Sequence, residues 1–262
     1  MTRALLINGA TVQGDLDATP ALFESAKAVA GSVPLWGVFS VHAVQPSKKE
    51  DETRQGKALI DESIKAAVQH FVYSSVERGG DERSWSNPAP VPHFITKHQI
   101  EHHLRNFTAD GKSPMGWTIL RPVIFMDNFQ PGFFGKVFLA LLRDTMEEKP
   151  LQLIATRDIG YFAAEAFHDT AKWNGRAFGL AGGELTFSEL SRAFEKATGD
   201  PTGTIFSLLG TALKYGVSEV GLMVDWFKND DYNTSISEVK KIHRKVTSID
   251  SWLKESAFVK KS

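Results

Sequence analysis

The sequence contains no cysteine. That excludes disulfides, thiolate catalysis and cysteine-bound zinc, so a redox role, if there is one, cannot run through a thiol. Charge of either sign is not in excess: 30 Lys and Arg face 31 Asp and Glu. Such a chain has no field to draw in DNA or an anionic membrane, and direct nucleic-acid binding is not expected. No apolar run approaches the ~20 residues of a membrane span. The opening MTRALLINGA is too short and too lightly apolar for a signal peptide. The expected compartment is the cytoplasm, with the nucleus left open. One missing pattern matters more than the rest. Neither G-x-G-x-x-G nor G-x-x-G-x-x-G occurs in the 262 residues, so the usual phosphate-binding turn of a dinucleotide fold is not among them. No internal repeat, low-complexity segment or nucleophile-elbow pattern occurs either.

What is present is an ordinary globular composition, 42% hydrophobic and 23% charged, enough to bury a sizeable core. The length suits one large domain or one domain with a modest lobe. The stretch Trp117–Phe129 organises the rest. Trp117–Leu120 is aromatic and β-branched, as a buried strand is, and Arg121-Pro122 stops it because proline has no N–H for a ladder. A strand that ends abruptly into a loop marks where open α/β sheets place ligands, although a plain strand–loop junction has the same look.

In chain order, Leu5-Leu-Ile-Asn-Gly9 has the form of a helix end with its terminal glycine, and Ala10–Gln13 that of a short strand. Thr19-Pro20 looks like a cap with proline at N1, and Leu22, Phe23, Ala26 and Val29 give the following helix an apolar face. Gly37–Val41 and His70–Ser74 are expected strands around a helix spanning Lys48–Val68, whose charged run Lys48–Glu52 reads as a solvated first turn or two. Val76–Pro92 is a polar loop long enough to suspect a lid, and His93–Phe107 is helical. Alternating strands and helices imply parallel pairing with right-handed crossovers. The fold class is α/β, a doubly wound parallel Rossmann-like sheet with a smaller, mostly helical C-terminal lobe. The expected division is 1–130 for the dinucleotide-binding core and 131–262 for the lobe. The lobe should hold strands near 151–154 and 176–180 and a capping box at Thr186–Glu189. Helical patterns follow at Ile205–Phe227, Ser237–Ile242 and Ser248–Glu255.

Lys97 lies one turn into its helix, where it could hold a ribose hydroxyl or simply face solvent. Position 93, one turn earlier on the same face, carries His. His98, His102 and His103 include an i, i+4 pair, but no third metal ligand is evident and no metal is expected. Asp15 closes a strand, where it could accept from an adenine amine or form an Asx turn.

Taken together, Val12–Asp17, Gly37–Val41, Gln55–Lys57, His70–Ser75, Val91–Lys97, Thr118–Pro122 and Met126–Phe129 resemble the NmrA-like family. So do Asp158–Gly160, Leu180–Gly182 and Ser251–Leu253. The family comprises atypical short-chain dehydrogenase relatives with a Rossmann core. The resemblance implies binding of NAD or NADP. It sets Asp15 and Leu16 beside the adenine, and Ser40, Val41 and His42 along the adenosine side, with Ser74 at the adjoining strand end. Lys97 matches the lysine of the dehydrogenase Tyr-x-x-x-Lys motif, Phe125, Met126, Asp127 and Asn128 flank the nicotinamide, and His93 takes the catalytic tyrosine's place. Many relatives are regarded as cofactor sensors and regulators that act through a partner protein.

Relatives begin with a strand, the glycine-rich turn, a helix and a second strand, a unit of roughly 30 residues or more. Here the chain is expected to be N-terminally truncated, starting inside the next helix. That would leave Gly37–Val41 with a bare edge. Two outcomes are expected: Ala10–Gln13 moves beside Gly37–Val41, or the edge stays open and favours weak stability or self-association. Three functional readings follow. The first is a cofactor-sensing regulator with impaired dinucleotide binding. The second is an NAD(P)-dependent oxidoreductase with His93 or Ser75 near the substrate. The third is a partly folded, inactive paralogue.

Overall fold

The computed structural model describes residues 2–5, 11–42, 49–202 and 218–259. The helix end expected over Leu6–Gly9, Ala10, Lys48 and the helical pattern over 205–217 lie outside the described residues. Two compact units interleave along the chain. One comprises Met1–Ser75, Ile95–Leu120 and Ala163–Phe178; the other comprises Val76–Phe94, Arg121–Phe162 and Gly179–Ser262.

In the first unit, β1 (Thr2–Leu5) pairs antiparallel with β2 (Thr11–Gly14), from Thr2 opposite Gly14 to Leu5 opposite Thr11. Leu5 is therefore in a strand, not at a helix end. So few residues cannot repay the cost of helix nucleation, whereas Thr11–Gly14 offers a ladder partner close by. Helix α1 (Thr19–Ala30) buries Leu22, Phe23 and Ala26, but Val29, expected on the same face, is 52% exposed. Thr19 is already helical; its hydroxyl donates to the Leu16 carbonyl at 2.6 Å, and Ala18 holds the cap position.

The four-stranded sheet runs β3 (Gly37–Val41), β4 (His70–Ser74), β5 (Gly116–Pro122), β8 (Arg176–Leu180). The first three are parallel, with Gly37 opposite His70 and His70 opposite Gly116. Every residue of β4 is buried, as a central strand covered on both faces must be. Strand β3 lies at the end of the order, with Phe39 42% and Val41 59% exposed. Of the two expected outcomes, the relocated strand is overturned. Among the described residues Thr11–Gly14 pairs with Thr2–Leu5 and not with Gly37–Val41. An antiparallel hairpin needs only a short connection, whereas a parallel pairing needs a crossover.

Helices α2 (Lys49–Lys65) and α4 (Pro92–Thr108) meet in this unit. Gly56 lets them approach, since a Cβ there would lie 2.4 Å from Ile100 Cδ1. Glu52, Gly56, Leu59, Ile60 and Ser63 form the buried stripe of α2, so the charged run is not wholly solvated.

In the second unit β6 (Ile124–Phe125) pairs parallel with β7 (Leu151–Ile154), which pairs antiparallel with β9 (Gly183–Leu185). Strands thus stand at 151–154 and 176–180, where the apolar pattern placed them. The helices of the chain also include α5 (Phe133–Met146), α6 (Thr156–His168), α7 (Thr170–Trp173), α8 (Phe187–Thr198), α9 (Ser218–Asn229), α10 (Ile236–Ile242) and α11 (Ile249–Glu255). The capping box forms: Thr186 Oγ1 accepts from the Glu189 N–H at 3.2 Å, and the Glu189 carboxylate from the Thr186 N–H at 2.9 Å. The suspected lid is anchored instead. Arg78 is fully buried and donates to the carbonyls of Asn87, Val76 and Ser84 at 2.9, 2.7 and 2.7 Å, stapling the loop around α3 (Arg83–Ser86). Among the described residues no helix is long and apolar enough to cross a membrane.

Two glycines make opposite predictions. A Cβ on Gly135, inside α5, would lie 1.8 Å from the Gln130 carbonyl oxygen, whereas one on Gly160, inside α6, meets nothing within 4 Å. Although alanine is the better helix former, Gly135→Ala should lose about 2 kcal/mol to overpacking. Gly160→Ala should gain about 0.5–1 kcal/mol. Denaturant unfolding of the two variants checks both signs.

Candidate functional site

The first unit gathers polar groups at the carboxyl ends of its strands. Pairing sets Ser40 opposite Tyr73 and Val41 opposite Ser74. Ser40, His42, Ser74, Ser75 and Lys97 are all buried, while the Val41 side chain is exposed. The Lys97 ammonium sits 3.2 Å from Glu52 Oε1, both groups buried, and 6.0 Å from the centre of the Tyr73 ring. The His42 ring meets Tyr73 edge-on, with centroids 6.2 Å apart. The Ser75 N–H donates to the Leu120 carbonyl at 2.7 Å, which ties the exit of β4 to β5. Among the described residues neither ring nitrogen of His42 nor the Ser75 hydroxyl has a hydrogen-bond partner. Burying such atoms unpaired costs about 1–3 kcal/mol each, a cost that a hydroxyl-bearing ligand would offset.

Burial, and then the charge of Lys97, lower the His42 pKa to about 4. His42 is thus a neutral imidazole at pH 7, with one donor and one acceptor nitrogen. Burial likewise lowers His70 to about 4. Its Nε2 lies 2.9 Å from Thr118 Oγ1, which itself donates to the Trp173 carbonyl at 2.9 Å. The hydroxyl therefore accepts from His70, which fixes the proton on Nε2.

Other expected residues resolve differently. Asp15 Oδ1 accepts from the Asp17 N–H at 3.0 Å, which is the Asx turn, and Leu16 is buried in the turn that follows. In the second unit, Met126 is buried, Phe125 is partly so and Asn128 is exposed. Asp127 Oδ2 accepts from the Thr156 N–H at 2.8 Å and so caps α6. His93 also lies in this unit, with Nδ1 at 2.8 Å and its N–H at 3.2 Å from Glu219 Oε1. A carboxylate in that position orients an imidazole for proton transfer. His98 and His102 bring their Nε2 atoms within 3.1 Å, but His103 turns to Asp61 at 2.7 Å. No group of three potential metal ligands lies together among the described residues.

The model of the NmrA-like family matches residues 3–253. The chain belongs to the NmrA-like family. Among curated proteins it is 30% identical over 160 residues to the nitrogen metabolite repression protein nmr of Neurospora crassa. That match covers 58% of this chain but 32% of the relative, so the chain spans about a third of that relative's length. Among solved structures, NmrA, a negative transcriptional regulator in complex with NADP, aligns with a TM-score of 0.66 at 19% identity, covering 93% of this chain and 79% of that one. The triphenylmethane reductase of Citrobacter sp. complexed with NADP(H) also aligns at 0.66, with 14% identity and coverage of 92% and 82%. At such identities the structural likeness shows the fold alone, which is α/β and Rossmann-like.

The family implies a nicotinamide dinucleotide, and among the described residues the strand-end groups suit its sugars. Neutral His42 and the Ser75 hydroxyl suit sugar hydroxyls. Lys97, which the resemblance gives to the ribose, is paired with the buried Glu52 carboxylate at 3.2 Å. The pattern of residues concealed this partner, because Glu52 stands in a run of charges. The available signal was its spacing, seven and eight residues before Leu59 and Ile60, which puts it on their face. Glu219 gave no local signal at all, lying 126 residues from His93.

Two predictions concern this unit. Removing one partner of a buried ion pair leaves an uncompensated charge, so Glu52→Gln should lose about 3–5 kcal/mol, and the double change Glu52→Leu with Lys97→Met should recover most of it; unfolding of the single and double variants measures this. Between pH 6.5 and about 4 the unfolded chain protonates at position 42 while the folded one does not. That contribution to stability is complete above pH 6.5 and lost as pH falls towards 4. His42→Phe should therefore lose less unfolding free energy than the parent between pH 7 and about 4.5, as read by urea unfolding at each pH.

Proposed function

We propose that this chain is a redox-linked regulator of the NmrA type that acts by binding a partner protein, and that its affinity for NAD or NADP is reduced. The observation that carries the second half is the buried Lys97–Glu52 pair. The resemblance gives Lys97 to the ribose, yet here its ammonium is held by the buried Glu52 carboxylate. An imidazole and hydroxyl without partners still offer hydrogen bonds to a sugar, so binding is weak rather than lost. The regulatory half is supported by two relatives, one named as a repression protein and the other as a negative transcriptional regulator. A regulator of this kind works in the cytoplasm and the nucleus. Strand β3 ends the sheet order among the described residues, and its exposed Phe39 and Val41 support self-association as a second property.

A second reading, an NAD(P)-dependent oxidoreductase, is favoured by the His93–Glu219 pair, an imidazole oriented by a carboxylate. Steady oxidation of NADPH with an aldehyde, ketone or quinone, abolished by His93→Phe, would put that reading in place of the regulator.

Thermal unfolding with 1 mM NADPH tests the proposal. A ligand at its dissociation constant adds only about 0.4 kcal/mol, or about 1 °C for a chain of this size. The parent should shift by no more than that, and Glu52→Gln, with Lys97 released, by several degrees from its own lower midpoint. A parent shift of about 5–10 °C, the effect of ligand at 100 times its dissociation constant, would refute the weakened binding.

A further inference from the structure

In the second unit an open cleft of about 440 Å³ lies among Asp127, Phe129, Pro131, Arg157, Trp252 and Glu255. It contains none of Ser40, Val41, His42, Ser74 or Lys97, and shares only Asp127 with the residues that the resemblance sets beside the nicotinamide. We propose that this cleft binds a small planar aromatic carboxylate.

The apolar half of the site is a rigid wall. Phe129 is 1% exposed and holds its ring at 80° to the Trp252 indole, with centroids 6.3 Å apart. Trp252 is only partly buried, and Pro131, Ala155 and Ala257 complete the lining. A flat ring stacks on such an indole with little loss of conformational freedom. The volume is in the range of small-molecule sites.

The polar half is a guanidinium held in place from behind. Arg157 Nε donates to Thr247 Oγ1 at 2.8 Å, and that hydroxyl donates in turn to the buried Asp158 Oδ1 at 3.2 Å. The Thr247 N–H also donates to Asp158 Oδ2 at 3.0 Å, so the support is doubly tied. One face of the guanidinium fork is thereby fixed, and its Nη1 meets the Glu255 carboxylate.

Glu255 is the stand-in that identifies the ligand. Its side chain is 65% exposed, and a surface pair of this kind is worth about 0–1 kcal/mol. A carboxylate arriving on an aromatic ring already stacked on Trp252 would displace it, because the ring contributes burial that Glu255 does not. The other acid in the cleft, Asp127, accepts from the Thr156 N–H at the N-terminus of α6, where the helix dipole offsets part of its charge. Gln130 is also in the lining, its amide donating to the Asp127 carbonyl at 3.2 Å. A cationic ligand could meet Glu255 only beside the Arg157 guanidinium, whose like charge opposes it.

Calorimetric titration with 2-naphthoate tests the site, with 2-naphthylmethylamine as the same ring bearing the opposite charge. The acid should bind with a dissociation constant below about 1 mM, and the amine at least about tenfold more weakly. Arg157→Met should weaken the acid about tenfold or more. Glu255→Gln, which removes the competing carboxylate, should tighten it a few-fold. Trp252→Ala should abolish it. Absence of heat with naphthoate, equal binding of acid and amine, or a Glu255→Gln variant that binds more weakly would each overturn the proposal. Both polar positions are exposed enough to change without unfolding the chain, which a melt of each variant verifies. Should Trp252→Ala fail that check, the acid–amine comparison and the Glu255→Gln sign decide. None of these readouts involves a dinucleotide, so the outcome is independent of the regulatory reading.

Discussion

The buried ion pair between Lys97 and Glu52 ties α4 to α2 in the first unit. Two opposite charges withdrawn from water repay their desolvation only when held close and rigidly. That requirement presses α2 against α4. Gly56, one turn beyond Glu52, removes the side chain that would otherwise strike Ile100, one turn beyond Lys97. The same ammonium helps keep His42 neutral. A single pair thus links the two helices near the ends of β3 and β4 and adds to the burial that keeps the adjacent imidazole neutral.

The consequence for function is a site with hydrogen-bonding capacity and little net charge. Nucleotide sites usually pair both features, neutral groups for the sugar and cationic or N–H donors for the phosphates. Here the groups in the first unit supply the former. The fold itself does not choose between regulation and turnover, since a transcriptional regulator and a reductase share it at equal TM-score. What this chain adds lies in its side chains, where Glu52 pairs with Lys97 and Glu219 with His93.

Much of the architecture was legible in the sequence because it depends on local patterns. Apolar and β-branched runs marked β3, β4, β5, β7 and β8, and the Thr186–Glu189 signature marked a cap that forms with both hydrogen bonds. The family followed from several short segments in a fixed order, each weak alone. Long-range events were not legible. Leu5 belongs to a strand because Thr11–Gly14 pairs with it. Val29 is exposed although its spacing matches Leu22 and Ala26. Arg78 anchors what looked like a mobile lid, because three carbonyls converge on it only once the loop is folded. Asp15 was read as a ligand contact or an Asx turn and Asp127 as a ligand contact, and each accepts from a backbone N–H through one carboxylate oxygen. A carboxylate serves equally well for either task, so residue type alone could not separate them.

The order β3-β4-β5-β8 also has a consequence for synthesis of the chain. Strand β5 ends at Pro122, but its second neighbour is complete only at Leu180. At about 5–20 residues per second, a ribosome needs roughly 3–12 s to cover that interval. Throughout it, the apolar residues Ile119 and Leu120 belong to a strand with one edge unpaired. The nascent chain therefore passes through an aggregation-prone stage fixed by topology, and slower elongation between those points prolongs it.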